Sequence, residues 1–247
     1  MYLLIRFSTI FHDVAAWNWL LIVAGMGTAV MSAVFAVQKT DLKKLTAYST
    51  VSHLGWIVAT IGVGTPFAIA AALVHTLAHA LFKSSIFMLI GVIDHEAGSR
   101  DIRRLGVLWN KMPWTFGSML IGAASMAAVP PLFGFVSKEG MLTAFEEAPI
   151  GSAGQIVLLI VAGIGAFFTF TYSAKIVFGA FFDGPRDMSK THEAPVRLWL
   201  PAALPGVMSV PIVFFMGMLD GPLDKVVAAI GMEGHSHLAL WHGFNVP

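Results

Sequence analysis

The stretch AAVPPLFGFVSKEG, residues 127–140, interrupts an apolar region that otherwise runs from 114 to 147. Two adjacent prolines, two glycines and Lys138 stand where a membrane-crossing helix accommodates none of them easily. Proline inside a helix removes a hydrogen bond and clashes with the preceding turn. Region 114–147 therefore reads either as two spans or as one span broken in its middle. Basic residues decide between the two. They cluster at Lys39, Lys43 and Lys44, at Arg100, Arg103, Arg104 and Lys111, and at Arg186, Lys190 and Arg197. Lysine and arginine accumulate in cytoplasmic loops, and the three clusters share a side only if 114–147 crosses once. A continuous helix of that length would reach about 50 Å, against a hydrocarbon core of about 30 Å. The surplus leaves room for an unwound stretch at 130–138, whose freed backbone groups must face protein or water rather than lipid.

The rest of the chain supports a membrane reading. Charged residues make up 12% of the 247 and hydrophobic residues 57%, against about a quarter charged in soluble domains. Mean hydropathy is +0.77. Stretches 17–38, 45–64, 67–93, 154–181 and 196–219 are each long and apolar enough to cross a bilayer. The expectation is an all-α integral membrane protein of about six transmembrane helices, one of them discontinuous at 114–147, with 1–11 as the end of another helix. Residues 1–219 form the transmembrane module, and 220–247 a histidine-containing juxtamembrane segment. Basic loops 38–45, 94–112 and 182–197 are expected on the cytoplasmic side of the plasma membrane. A net charge of +1 gives no reason to expect a nucleic-acid partner. With no cysteine, disulfides, thiolate metal sites and cysteine nucleophiles are excluded. The N-terminus MYLLIRFSTIFHD lacks both the basic flank and the cleavage site of a signal peptide.

Ionisable residues at membrane depth are expensive and by default mark an ion or proton path. Lys138 is the first. A lysine snorkelling to the interface would need no chemistry, but the adjacent break offers freed carbonyls and half-helix ends. The stretch HTLAHALFK, residues 75–83, supplies three more. At 100° per residue His75, His79 and Lys83 form one narrow stripe on a helix otherwise covered by Ala, Leu and Phe. Lipid does not tolerate such a stripe. Histidine exchanges protons near neutral pH, so a file of these groups reads as a proton relay. The plainer alternative is a set of histidines fixed by hydrogen bonds to neighbouring helices.

His at i and i+4 is also the zinc-protease spacing, but the glutamate of H-E-x-x-H is missing and no third ligand is evident, so no metal is expected. His235, His237 and His242 read as a loop cluster rather than a metal site. Lys43 and Lys44 are either positive-inside anchors or relay members. His53, further along the same span, reads first as a hydrogen-bonded core residue and second as a relay member. Asp41 is placed to cap that helix. Lys175 lies close enough to an interface to snorkel. Glu139 is a candidate charge partner, and Asp94, His95 and Glu96 are a candidate proton mouth where the striped helix ends. No Walker loop, dinucleotide fingerprint or haem or cluster pattern is present, so no cofactor is expected.

Four stretches together, QKTDLKKLTAYSTVSHLG, HTLAHALFK, IDHEAGSRDIRRLG and SMAAVPPLFGFVSKEG, resemble the antiporter-like module shared by Mrp cation/proton antiporters and respiratory complex I. The resemblance runs over most of the chain. GVIDHEAGSRDIRRLG, GFVSKE and HLALWHGFN are most similar to the A-type Mrp subunits. The resemblance implies proton translocation coupled to sodium movement within a complex of several membrane subunits. The alternative is a proton-pumping subunit of a complex I or membrane-bound hydrogenase type. Lys138 matches the family's lysine in its second broken helix; His75, His79 and Lys83 match its central hydrophilic axis; Lys43 matches a lysine on the helix before. The family's first broken helix, with a lysine and a partner glutamate, has no counterpart here. The chain is therefore expected to be part of a longer subunit, beginning within what resembles the eighth helix.

Overall fold

The computed structural model describes residues 1–185 and 187–232, so Arg186 and the histidines at 235, 237 and 242 lie outside the described residues. The described residues are helical, in the order α1 (Tyr2–Phe11), α2 (Ala15–Gln38), α3 (Leu42–Val63), α4 (Pro66–Ala97), α5 (Pro113–Met126), α6 (Phe133–Glu146), α7 (Ser152–Phe181), α8 (Val196–Val207) and α9 (Gly217–Ala229). Helices α2, α4 and α7, of 24, 32 and 30 residues, are long and apolar enough to cross a membrane. The 22 residues of α3 also give a length of about 33 Å. Its buried face is polar, with Thr46, Ser49, Ser52, His53 and Thr60 all shielded.

Local sequence sets the ends. Asp41 caps α3, its side chain accepting from the Lys44 amide at 2.9 Å. Thr65 caps α4 ahead of Pro66 in the first turn. Gly98 ends α4 at φ 67°, a left-handed conformation that suits glycine. Small residues bring α2 and α3 together: a methyl added at Gly25 would lie 2.5 Å from the Ala59 nitrogen, and one at Gly55 2.6 Å from the Ala29 nitrogen. Ser52 Oγ crosses this seam to donate to the Ala29 carbonyl at 2.8 Å. Close backbones with small residues and an interhelical hydrogen bond are how helices associate where lipid is as apolar as the side chains.

The region 114–147 crosses once. In α5, Gly122 faces Ile86 of α4. In α6, Ser137 bonds His75, and Met141, Ala144 and Phe145 share a core cluster with Ala68 and Ala71. As the sequence advances from 122 to 145, its partners on α4 recede from 86 to 68. The two half-helices therefore run in one direction, antiparallel to α4, with the break between them at 127–132. The break is satisfied by protein: the Phe133 amide donates to the Ser209 carbonyl at 3.0 Å, and the Gly134 amide to Ser125 Oγ at 3.2 Å.

The expected span 196–219 is corrected. Helix α8 stops at Val207, a turn and the 3-10 segment Ile212–Phe215 follow, and α9 begins at Gly217. Pro201, Pro205 and Pro211 withdraw three amide donors from this stretch, and Gly206 weakens it further. The boundary expected at 219/220 falls inside α9.

The segments carrying the basic clusters meet at one end of the bundle. The Leu42 amide donates to the Arg100 carbonyl at 2.9 Å and the Ile102 amide to the Thr40 carbonyl at 3.0 Å. The Leu108 amide reaches the Phe181 carbonyl at 2.9 Å. Arg100 pairs with Asp41 at 2.9 Å. Partial burial alone would raise the Asp41 carboxyl, but the Lys44 amide and the Arg100 guanidinium outweigh it and hold the group below its ordinary value.

Candidate functional site

Helices α3 and α4 are antiparallel across the short Gly64–Thr65 turn, so residues counted back from the turn on α3 face residues counted forward on α4. Polar positions on α3 recur at 46, 49, 53, 56 and 60, a helical spacing that keeps them on one face. Opposite them stand Lys83, His79 and His75. His53, His75, Lys83 and Lys138 are all buried, while His79 is half-buried.

At one end, the Lys83 amine donates to Ser49 Oγ and, at 3.4 Å, to the Thr46 carbonyl. The His79 ring lies 5.6 Å from that of His53, with Phe82 packed against both at 5.6 and 5.2 Å. His53 Nδ1 and His75 Nε2 are 3.1 Å apart. His75 Nδ1 and Ser137 Oγ are 2.9 Å apart, and Ser137 Oγ donates to the Gly134 carbonyl at 3.1 Å. Beside Ser137 is Lys138, whose amine has no protein hydrogen-bond partner and lies 5.0 Å over the Trp56 ring. Tyr172 of α7 closes the back of the cluster, its ring 6.4 Å from His53.

Donor counting fixes the direction of this chain. Ser137 gives its proton to Gly134, so His75 must present Nδ1–H to Ser137 and a bare Nε2 to His53. His53 then donates from Nδ1, leaving Nε2 as an unpaired acceptor, and that nitrogen is buried without a partner. The reverse orientation would leave a buried N–H unpaired at the same place, and orphaned donors are the rarer and costlier defect. The result is a directed series, His53 to His75 to Ser137, running from α3 across α4 to the first turns of α6. His75 uses both ring nitrogens in it, so His75 and His79 do not converge as metal ligands.

Other expected residues lie apart. Lys43 and Lys44 are exposed at the start of α3, away from the histidines. Glu139 is half-buried, with Oε2 lacking a protein partner, and sits about 100° round α6 from Lys138. Asp94, His95 and Glu96 lie at the end of α4, about 16 Å beyond Lys83 along the axis. There Asp94 is 3.7 Å from Arg100, while Glu96 is flanked by His95 at 3.0 Å and His192 at 3.4 Å. Lys175 donates to the Val37 carbonyl at 2.6 Å, tying α7 to the end of α2. Ser49, Ser137 and Trp56 were not singled out by sequence. The polar face of α3 carried a signal for Ser49 and Trp56; Ser137 had only its place beside Lys138.

A buried file of imidazoles and amines, threaded between interrupted helices that satisfy each other's backbone, is the architecture of membrane transport bundles. The chain belongs to the family described as NADH:quinone oxidoreductase/Mrp antiporter, TM, whose model matches residues 1–169. It is 39% identical over 255 residues to the A/B-type subunit of a probable K(+)/H(+) antiporter of Rhizobium meliloti (strain 1021), covering 100% of this chain and 25% of the relative. It is 38% identical over 271 residues to the A-type subunit of the Na(+)/H(+) antiporter of Bacillus subtilis (strain 168), covering 98% and 34%. The solved Mrp complex from Dietzia sp. DQ12-45-1b holds a chain that is 46% identical, with a TM-score of 0.90 over 99% of this chain and 26% of that one. The chain thus spans between a quarter and about a third of the length of these relatives.

Proposed function

We propose that this chain is the proton-conducting part of an A-type antiporter subunit, exchanging protons for sodium within a complex of several membrane subunits. The observation that carries the reading is the directed hydrogen-bond series from His53 through His75 to Ser137, which ends one residue before Lys138, whose buried amine has no protein hydrogen-bond partner. A proton arriving at His53 Nε2 displaces the Nδ1 proton onto His75, which passes its own Nδ1 proton to Ser137, whose hydroxyl proton leaves toward the Lys138 amine by way of an intervening water. One transfer inverts the whole series, and rotation of the hydroxyl and imidazoles, not the reverse transfer, resets it for the next proton in the same direction. Lys83 and His79 supply the entry side: Lys83 is anchored on Ser49, and half-buried His79 stands against His53. Like charges repel strongly in a poorly screened interior, so a proton held at one end favours release at the other.

The three basic segments at one end of the bundle support a cytoplasmic position for that end in the plasma membrane. Glu96, held between His95 and His192, and Asp94 mark the same end, where they stand as the proton mouth of the striped helix. The family's own description also covers NADH:quinone oxidoreductase, and that second reading predicts that redox subunits co-purify with the chain.

The test uses the complete complex in everted vesicles, following sodium-driven proton movement with a pH-sensitive dye and complex assembly on native gels. Lys138→Ala is expected to abolish exchange. Lys138→Arg keeps a charge that does not deprotonate in proteins and is expected to fail nearly as badly. Lys138→Glu restores a titratable group and is expected to recover part of the rate. Exchange at the parental rate in the arginine variant refutes the relay, and exchange in the alanine variant reduces Lys138 to a structural residue.

A further inference from the structure

We propose that Trp56 is a positioning residue for Lys138, presenting its indole face as the partner that holds the ammonium in place between proton transfers. The inference rests on Lys138 as a proton carrier and adds what stabilises it there. Lys138 Nζ is buried, and among the described residues it has neither an ion pair nor a protein hydrogen bond. What it does have is the Trp56 ring at 5.0 Å. The face of an indole carries negative potential and attracts a cation, tryptophan being the strongest of the aromatic residues in this role.

Packing, not hydrogen bonding, aims that ring. Trp56 is 1% exposed, and its Nε1 has no partner. Phe145 stacks with the ring at 5.9 Å and 26°. On its edge Gly165 of α7 leaves room that a methyl would occupy, at 3.1 Å from Trp56 Cζ2. Three elements therefore converge on one orientation: α3 carries the ring, α6 stacks on it, and α7 gives way to its edge.

The chemistry suits a relay. A carboxylate beside Lys138 would pin the ammonium through a strong ion pair, and it could take the proton itself. An aromatic face attracts the ammonium but cannot accept its proton, so it stabilises the charged form without competing as a base. Trp56 lies one turn beyond His53 on α3, so the residue that relays the proton and the residue that steadies its acceptor share a helix face.

The experiment is the pH profile of sodium-driven proton movement by the complete complex in vesicles, for the parent, Trp56→Leu, Trp56→Phe and Lys138→Ala. Exchange requires Lys138 to lose its proton, so the profile has a limb that rises with pH. Without the aromatic face the ammonium is held less well, and in Trp56→Leu that limb is expected to move to lower pH by about one unit. Trp56→Phe keeps a weaker face and is expected to move the limb the same way by less. If assembly of the leucine variant fails, the phenylalanine variant decides alone. A limb that stays at the parental pH in an assembled variant, whatever the maximal rate, overturns the proposal and leaves Trp56 a packing residue. Lys138→Ala separates the two levels. An inactive alanine variant with an unmoved tryptophan limb removes this inference only, whereas an active alanine variant removes the proton-carrier reading beneath it.

Discussion

Replacing Ser137 by alanine removes one atom from the middle of the series and tests whether protons use it. Ser137 Oγ accepts from His75 at 2.9 Å and donates to Gly134 at 3.1 Å, and the residue is fully buried. Without the hydroxyl, the His75 Nδ1–H faces no protein acceptor in a buried site, a defect of about 1–3 kcal/mol. A change of tautomer does not relieve it. Moving the His75 proton to Nε2 sets it against the His53 Nδ1–H, and moving that proton in turn leaves His53 Nε2–H unpaired, because Nε2 has no partner. The defect shifts along the series but does not vanish. Ser137→Ala also removes the group that takes the His75 proton, so exchange is expected to fall at least about five- to 150-fold, the factor that 1–3 kcal/mol represents at about 1.4 kcal/mol for each tenfold in rate. Serine and alanine differ by a single oxygen, so the packed site and the assembled complex should survive. The assay is initial sodium-driven proton flux in everted vesicles, normalised to complex on native gels. Parental flux from a fully assembled Ser137→Ala complex would refute the argument, because protons would then bypass the His75 to α6 step.

Two further outcomes are expected. In a complex whose other subunits lack reactive cysteines, single cysteines at positions 42, 101 and 188 should all react with an impermeant reagent from one face; labelling of 188 from the opposite face would show that 114–147 crosses twice. Asp101 should titrate near pH 2, since its hydrogen bond from Arg103 holds the carboxyl below its ordinary value of 3.8. Its folded value lies below its unfolded one, so this contact contributes fully above about pH 3.8 and is lost as pH falls through about 2. Arg103→Ala should return the carboxyl resonance toward its ordinary titration, and an unchanged titration would show that Arg103 is not the cause.

The legibility of the fold followed the physics each segment obeys. The single crossing of 114–147 could be read because two independent signals, the proline break and the side of the basic clusters, constrained the same residues. Helices α2, α4 and α7 declared themselves by length and hydropathy. Region 196–219 misled because its hydropathy suits a span, and three prolines in a lipid-compatible stretch are tolerated when neighbours satisfy the freed groups. That condition depends on Ser209 meeting Phe133, a tertiary fact with no local signature. Within the site, the stripe of His75, His79 and Lys83 was visible as spacing, and His53 was visible as a core histidine. That His53 and His75 are one unit could not be read, because it depends on the register of α3 against α4, which the small-residue turn and the Gly25 and Gly55 seam set together. Lys43 illustrates the converse: the family pattern singled it out, and it lies exposed in the first turn of α3, one turn before Thr46, whose carbonyl Lys83 reaches.

The meeting of the two breaks explains why both exist. A lone break in α5–α6 would leave the first amides of α6 without acceptors at membrane depth, at several kcal/mol for each group facing hydrocarbon. Ser125 Oγ takes the Gly134 amide, and the Phe133 amide turns to a different acceptor. The acceptor for Phe133 is a carbonyl freed where α8 ends, Ser209 O. A continuous helix through 196–219 would commit the Ser209 carbonyl to its own ladder and orphan Phe133. A continuous helix through 114–147 would likewise leave Ser209 unpaired and place Ser137 and Lys138 on a different register relative to His75. Each interruption thus stabilises the other. The position of Ser137 and Lys138 against the α3–α4 histidines therefore depends also on the turn that follows α8, a segment that contributes no titratable side chain to the file.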